Sequence, residues 1–235
     1  MRPLIIALDF ETKQKVDSFL DHFHESLYVK VGMELYYQEG PKIIDYLKEK
    51  GHQIFLDLKL HDIPNTVKQA MKRLANLEVD MVNVHALGGS RMMEAALEGL
   101  ESGASRQQRP TIIAVTQLTS SDEQMVQKEQ MISLSLENSV RNLARLAKQS
   151  GLDGVVCSAH EVGIITDVCG ESFQTITPGI RLADDQNGDQ VRVATPQLAR
   201  KLGATGIVVG RSITRAKDPY RAYQQVKSEW EGVYE

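Results

Sequence analysis

The chain has 235 residues, 42% hydrophobic and 25% charged, enough for one sizeable core and within the size range of a single domain. Its formal charge of -4 argues against a nucleic-acid footprint but leaves room for a local cationic pocket that takes a small anion. Its two cysteines, Cys157 and Cys169, show neither a metal-ligand spacing nor a secretory framework, and read as reduced, buried apolar residues.

The N-terminal run Arg2-Pro3-Leu4-Ile5-Ile6-Ala7-Leu8-Asp9 is too short for a signal peptide, and no later stretch is long enough to span a bilayer. A cytoplasmic enzyme of small molecules, with neither nucleic acid nor membrane as partner, is the expectation. Leu4 to Phe10 reads as a first strand. Val16, Phe19, Leu20 and Phe23 then recur at helical spacing within 11–24. Leu27 to Met33 repeats the strand signal with Lys30 as its one charge, and Ile43, Ile44 and Leu47 mark a helical face that stops near Gly51.

Ile54 to Leu60 reads as a strand, and because successive side chains point to opposite faces, Leu56, Leu58 and Leu60 share one face while Asp57 and Lys59 share the other. Pro64 cannot donate to a ladder and disfavours a helical residue before it, which leaves Asp62 on the loop just past the strand's carboxyl end. If the strand belongs to a closed parallel barrel, the leucines face outward beneath helices, and Asp57 and Lys59 point into the barrel mouth.

A helix over 66–77 carries Val67, Ala70, Met71 and Leu74 on one face, and Met81 to Leu87 is the fourth strand. Gly88-Gly89-Ser90 leads into a helix through Met92, Met93, Ala96 and Leu100, whose methionines read as core filler. Thr111 to Leu118 is the fifth strand. The polar segment 122–130 after it has room for an extra helical turn over the strand mouth, before the helix of Val140, Leu143, Ala144 and Leu146.

Gly154 to Ala159 is strand six, His160 to Val168 its helix, and Phe173 to Thr177 strand seven, closing in Pro178-Gly179-Ile180-Arg181. The polar, glycine-bearing loop that follows, about 181–192, has the length and position of an active-site lid ahead of the helix of Pro196 to Leu202. Gly206 to Val209 is strand eight, leading into Gly210-Arg211-Ser212-Ile213-Thr214 and a terminal helix with Tyr220, Tyr223 and Val226. Roughly eight strand–helix units of about 25 to 30 residues predict an α/β fold, a single (β/α)8 TIM barrel over 1–235. The alternative is an open doubly wound sheet, weakened because Phe10-Glu11-Thr12 stands where a G-x-G-x-x-G would follow the first strand.

In such a barrel the site lies at the carboxyl ends of the strands, and phosphate is typically held after strands seven and eight. Gly210 lets the backbone approach an anion, Arg211 offers a planar fork of donors, and Arg181 serves either phosphate or lid. The remaining strand-end charges are Asp9, Lys30, Asp57, Lys59 and Asp62. Each carboxylate can face an ammonium instead of a metal, which favours cofactor-free proton-transfer or carbanion chemistry. His61, His85 and His160 read as structural rather than as general bases.

The Ala7-Leu8-Asp9 end of strand one, Lys30, the run Asp57-Leu58-Lys59-Leu60-His61-Asp62-Ile63-Pro64-Asn65-Thr66, Thr177-Pro178-Gly179-Ile180-Arg181, Gly188-Asp189-Gln190 and Val208-Val209-Gly210-Arg211-Ser212-Ile213 together resemble the orotidine 5'-phosphate decarboxylase family, in order and over essentially the whole chain. The resemblance implies a homodimer that converts orotidine 5'-phosphate to UMP and carbon dioxide without metal or organic cofactor. It implies Lys59 as the acid that protonates C6, Asp57 beside the departing carboxylate, Lys30 orienting Asp57 and touching the ribose, and Asp9 on a ribose hydroxyl. Asp62 would reach in from the neighbouring subunit, with Ile63 and Thr66 lining the shared mouth. Thr119 would contact the base, and Arg181, Gln190, Gly210 and Arg211 would hold the phosphate and close the lid. The run 57–66, including Leu58, Leu60, His61, Pro64 and Asn65, is carried as substrate-binding as a whole. Two rivals stand beside this reading. One is a sugar-phosphate barrel resembling hexulose-6-phosphate synthase, which would use magnesium; the other is a catalytically silent nucleotide-binding barrel.

Overall fold

Short β-branched and leucine-rich segments alternate with amphipathic helices, and in the computed structural model, which describes residues 2–104, 109–183 and 193–233, they close into a parallel barrel. The chain runs β1 (Leu4–Ala7), α1 (Lys13–Leu20), β2 (Tyr28–Gly32), α2 (Met33–Glu39), α3 (Lys42–Glu49), β3 (Gln53–Leu60), α4 (Pro64–Ala75), β4 (Met81–His85), α5 (Ser90–Gly103), β5 (Thr111–Val115), α6 (Leu136–Gln149), β6 (Gly154–Val156), α7 (Val162–Cys169), β7 (Gln174–Ile180), α8 (Pro196–Lys201), β8 (Gly206–Val209), α9 (Arg211–Thr214) and α10 (Pro219–Glu231). Each strand pairs with the next, and β8 returns to β1 through Leu4↔Ile207, Ile5↔Val208 and Ile6↔Val209. This is the single (β/α)8 barrel expected from the sequence.

Strand alternation sorts the core into two shells. Ile5, Ala7, Phe55, Met81, Ile113, Ile176 and Val208 fill the barrel interior, whereas Ile6, Val29, Val31, Ile54, Leu56, Leu58 and their neighbours pack outward beneath the helices. The interior is therefore an apolar plug from which the charged ends of β2 and β3 emerge on one side. Two helix–helix approaches are unusually close. A Cβ on Gly99 or Gly103 of α5 would collide with the carbonyl oxygen of Lys68 or Lys72 on α4.

The strand ends correct several sequence expectations. β1, β4, β5 and β6 stop two or three residues early, and 3₁₀ turns Ala86–Gly88 and Ala159–Glu161 begin where strand had been expected. α2 starts directly at Met33, which the periodicity had assigned to the strand. Strand seven instead runs long: Pro178, Gly179 and Ile180 remain in β7. The pairing passes from Thr177↔Ile207 to Ile180↔Val209, three steps against two, and this one-residue bulge takes up a proline without an N–H and Gly179 at φ 79°. The extra turn anticipated within 122–130 is a π-helical turn over Met125–Glu129. No helix among the described residues is long and apolar enough to cross a membrane.

Candidate active site

At the carboxyl ends of the strands lies a cavity of about 440 Å³ whose walls include Asp9, Lys30, Asp57, Lys59, Thr119, Arg181, Gly210 and Arg211. Four of these form a chain of alternating charge. Lys30 Nζ is 3.1 Å from Asp9 Oδ1 and 3.3 Å from Asp57 Oδ2, and Lys59 Nζ is 2.7 Å from Asp57 Oδ1. The strands dictate this order. Asp57 pairs in register with Gly32 on β2, Lys30 lies two residues before that glycine on the same face, and Lys30 pairs with Ala7 just ahead of Asp9. Gly32 keeps the space open: a Cβ there would lie 3.2 Å from Lys30 Nζ.

Lys59 departs from ordinary strand geometry. Its φ is 52°, in the left-handed region, which costs a residue with a Cβ about 1–2 kcal/mol. The distortion accompanies a bulge between β3 and β4, where the pairing jumps from Leu56↔Val82 to Leu60↔Val84. Asn83, 1% exposed on β4, sits against this bulge. Its Oδ1 accepts the Lys59 N–H at 2.8 Å and its Nδ2 donates to Asp57 Oδ1 at 2.6 Å.

Burial and neighbouring charge oppose each other at this cluster, and charge prevails. Burial on its own would raise the Asp57 carboxyl, yet the ammonium groups of Lys30 and Lys59, with the Lys59 and Asn83 hydrogen bonds, hold it below the ordinary carboxylate range. Burial would likewise lower Lys30, but Asp57 and Asp9 keep its ammonium above the usual lysine value. Asp57 is thus a permanent anion and Lys30 a permanent cation at neutral pH.

Arg181 and Arg211, which follow β7 and β8 beside Gly210, also line the cavity. A Cβ on Gly210 would meet Ala7 and Asp9 only at ordinary contact distance, 3.7 Å. Thr119 sits on the loop after β5. That loop is anchored by Gln117, which exchanges amide hydrogen bonds with Gln130 (2.9 and 3.2 Å) and donates to Ser139 Oγ at 3.1 Å. Asn83, Gln117, Glu34 and Arg215 are site residues that the sequence reading passed over; the last three line the cavity. For Asn83 the available signal was an amide at the alternate, inward position of an otherwise apolar strand.

The rest of the run 57–66 lies outside the cavity. Leu58 and Leu60 pack into the outer shell, and His61, Asp62, Ile63, Pro64, Asn65 and Thr66 form an exposed rim, with Ile63 67% exposed. The His61 and His85 rings lie 5.6 Å apart, and burial first, then His61 and Lys59, pushes His85 below its ordinary value. His160 is exposed in a 3₁₀ turn away from the cavity walls. Cys169 is buried in the outer shell, and Cys157, equally buried, touches the cavity wall. Gln190 and most of the expected lid fall outside the described residues.

A closed (β/α)8 barrel with this charge cluster at its carboxyl-terminal mouth defines an enzyme of small molecules. The model of the "Orotidine 5'-phosphate decarboxylase / HUMPS family" matches residues 2–226, and the chain belongs to that family. Its enzyme class is carboxy-lyase. The chain is 64% identical over 234 residues to an orotidine 5'-phosphate decarboxylase of Bacillus cytotoxicus, covering 99% of this chain and 98% of that one. It is 65% identical over 232 residues to the protein of the same name from Bacillus mycoides, covering 98% of each. The crystal structure of orotidine 5'-phosphate decarboxylase from Lactobacillus acidophilus superimposes with a TM-score of 0.88 at 42% identity, over 98% of this chain and 99% of that one.

Proposed function

We propose that this chain decarboxylates orotidine 5'-phosphate to UMP and carbon dioxide, and that Lys59 supplies the proton to C6. The observation that carries the proposal is that the alternating chain Asp9–Lys30–Asp57–Lys59 shares one cavity with Arg181 and Arg211. Loss of carbon dioxide leaves an electron pair at C6 with no conjugated sink, so the group the reaction most needs is a cation held close to that carbon. The Lys59 ammonium is that cation, and the same ammonium then donates its proton, forming the C6–H bond. Opposite charges at about 4 Å are worth roughly 4 kcal/mol at an effective dielectric near 20, so Lys59 supplies part of the acceleration and not the whole. Phosphate gripped by Arg181, Arg211 and the Gly210 backbone adds binding energy remote from the reacting carbon, which is used to fix the ring against the charge cluster.

Asp57 lies beside the departing carboxylate in this reading, and Lys30 holds Asp57 while touching the ribose with Asp9. Thr119 faces the base. In this reading the chain forms a homodimer in which Asp62, Ile63 and Thr66, all standing on the exposed rim 61–66 where a second copy can reach them, enter the neighbouring subunit's mouth.

The test is the fall in ultraviolet absorbance of orotidine 5'-phosphate on addition of chelator-treated protein, run beside Lys59→Ala. Rapid conversion by the parent and a loss of at least about 10³-fold in Lys59→Ala are expected from removal of both the stabilising charge and the proton donor. Absence of conversion by the parent sinks the proposal and moves a sugar phosphate with magnesium to the front.

A further inference from the structure

The pairing of β3 with β4 advances from Leu56 to Leu60 on one strand while it advances only from Val82 to Val84 on the other. Four steps face two, so β3 carries two extra residues at this point, and the Lys59 N–H falls in the gap where the ladder is interrupted. A buried N–H left there without a partner, on a residue already at φ 52°, would relax the turn. The Asn83 amide occupies the gap. Its oxygen takes the Lys59 N–H at 2.8 Å, and its nitrogen donates at 2.6 Å to the same Asp57 oxygen that receives the Lys59 ammonium at 2.7 Å.

One planar amide therefore ties the backbone of the lysine to the side chain of the aspartate. Both of its ends are satisfied, it is 1% exposed, and its neighbours Val82 and Val84 turn the other way into the outer shell, leaving the amide on the inward face. We infer that Asn83 is a positioning residue for decarboxylation: its amide closes the interrupted β3–β4 ladder and sets the Lys59 backbone and the Asp57 carboxylate in fixed relation to the reacting carbon. The inference rests on the proposed function for its catalytic consequence, and on geometry alone for the clamp.

Two variants and four readouts test it. Asn83→Ala removes both hydrogen bonds and should lower kcat at least about 100-fold, the size of loss that a misplacement of about 1 Å produces. UMP, which has no carboxylate at C6 and is gripped through its phosphate, should bind within about threefold of the parent. Asn83→Asp keeps the size and the acceptor for the Lys59 N–H but puts a carboxylate against Asp57. Its kcat should be low at neutral pH and recover as pH falls, because the protonated carboxyl again donates to Asp57. The charged and titratable groups facing that position are Asp57, Lys59, Lys30 across Asp57, and His85 with its neighbour His61. The parent should show no such recovery.

The fourth readout needs neither turnover nor a ligand. Amide hydrogen exchange at Lys59, followed by NMR in the ligand-free protein, should accelerate at least about tenfold in Asn83→Ala while the amides of β1 and β8 keep the parent's protection. A kcat for Asn83→Ala within about threefold of an active parent, an Asn83→Asp pH profile parallel to the parent's, or unchanged exchange at Lys59 overturns the inference. An inactive parent overturns the decarboxylase reading instead, and the exchange measurement still decides whether the clamp exists.

Discussion

At the scale of single residues, the site is a competition between burial and charge. Asp57, 7% exposed, remains an anion because two ammonium groups and the Asn83 amide face it. In the proposed mechanism a carboxylate held in that state beside the departing carboxylate would raise the energy of the bound substrate more than that of the product. Asp57→Asn should therefore lower kcat by about 100-fold or more and change UMP affinity by less than about tenfold, measured by steady-state kinetics and isothermal titration; equal losses in both would refute the role. His85 adds a pH effect on stability. Its folded pKa is lowered, first by burial and then by His61 and Lys59, so the fold favours neutral imidazole. That contribution is fully present above the unfolded value of about 6.5 and is lost as pH falls through the folded value. Thermal unfolding followed by circular dichroism should show the parent's midpoint dropping from pH 7 toward pH 5 more steeply than that of His85→Gln.

At the scale of elements, the charges are aimed by two strands with bulges and by one tight helix pair. β3 and β7 both break register near their carboxyl ends, and both carry site residues at or just after the break. α4 begins at Pro64, within the rim 61–66, and is held against α5 through the backbone contacts at Gly99 and Gly103. Alanine for glycine inside a helix ordinarily gains about 1 kcal/mol. At Gly99 the new methyl collides with the Lys68 carbonyl, and overpacking costs about 1–3 kcal/mol, so the clash should win. Gly99→Ala should lower the unfolding midpoint by several degrees, about 2–4 °C per kcal/mol for a domain of this size. Gly163→Ala on α7, where nothing lies within 4 Å of the added methyl, should raise or preserve it. A higher midpoint for Gly99→Ala would show that α4 can move away from α5 at little cost.

At the scale of the whole molecule, the proposed homodimer makes each site a property of two chains. Lys59 lies in the cavity of its own chain, whereas Asp62 stands on the exposed rim. If each mouth takes Asp62 from the partner, mixing equal amounts of refolded Lys59→Ala and Asp62→Ala chains gives hybrids with one intact site of two, and about a quarter of the parent activity should return. No recovery on mixing, with dimers present by sedimentation, would confine the site to a single chain.

The barrel was legible in the chain because parallel strands buried on both faces must alternate with covering helices, and Ile54 to Leu60 carries that rule together with its exception, two charges on the inward side. The same alternation brought out Asp57 and Lys59, and the positions of Asp9, Lys30, Arg181 and Arg211 followed from their places at strand ends. Pattern reading extended strands into their loops, because a β-rich run does not record where the ladder parts at the barrel mouth. It also ended strand seven at Thr177, since a bulge that accommodates Pro178 and Gly179 depends on the facing strand. Asn83 marks the boundary most sharply. Its amide on an apolar strand is visible in the sequence, but its partners are an N–H and a carboxylate that come within reach only because β3 carries two more residues than β4 between the same pairs. Composition and periodicity determine which face a residue takes along its own strand; the register between strands, which depends on both partners at once, is decided only when the barrel closes.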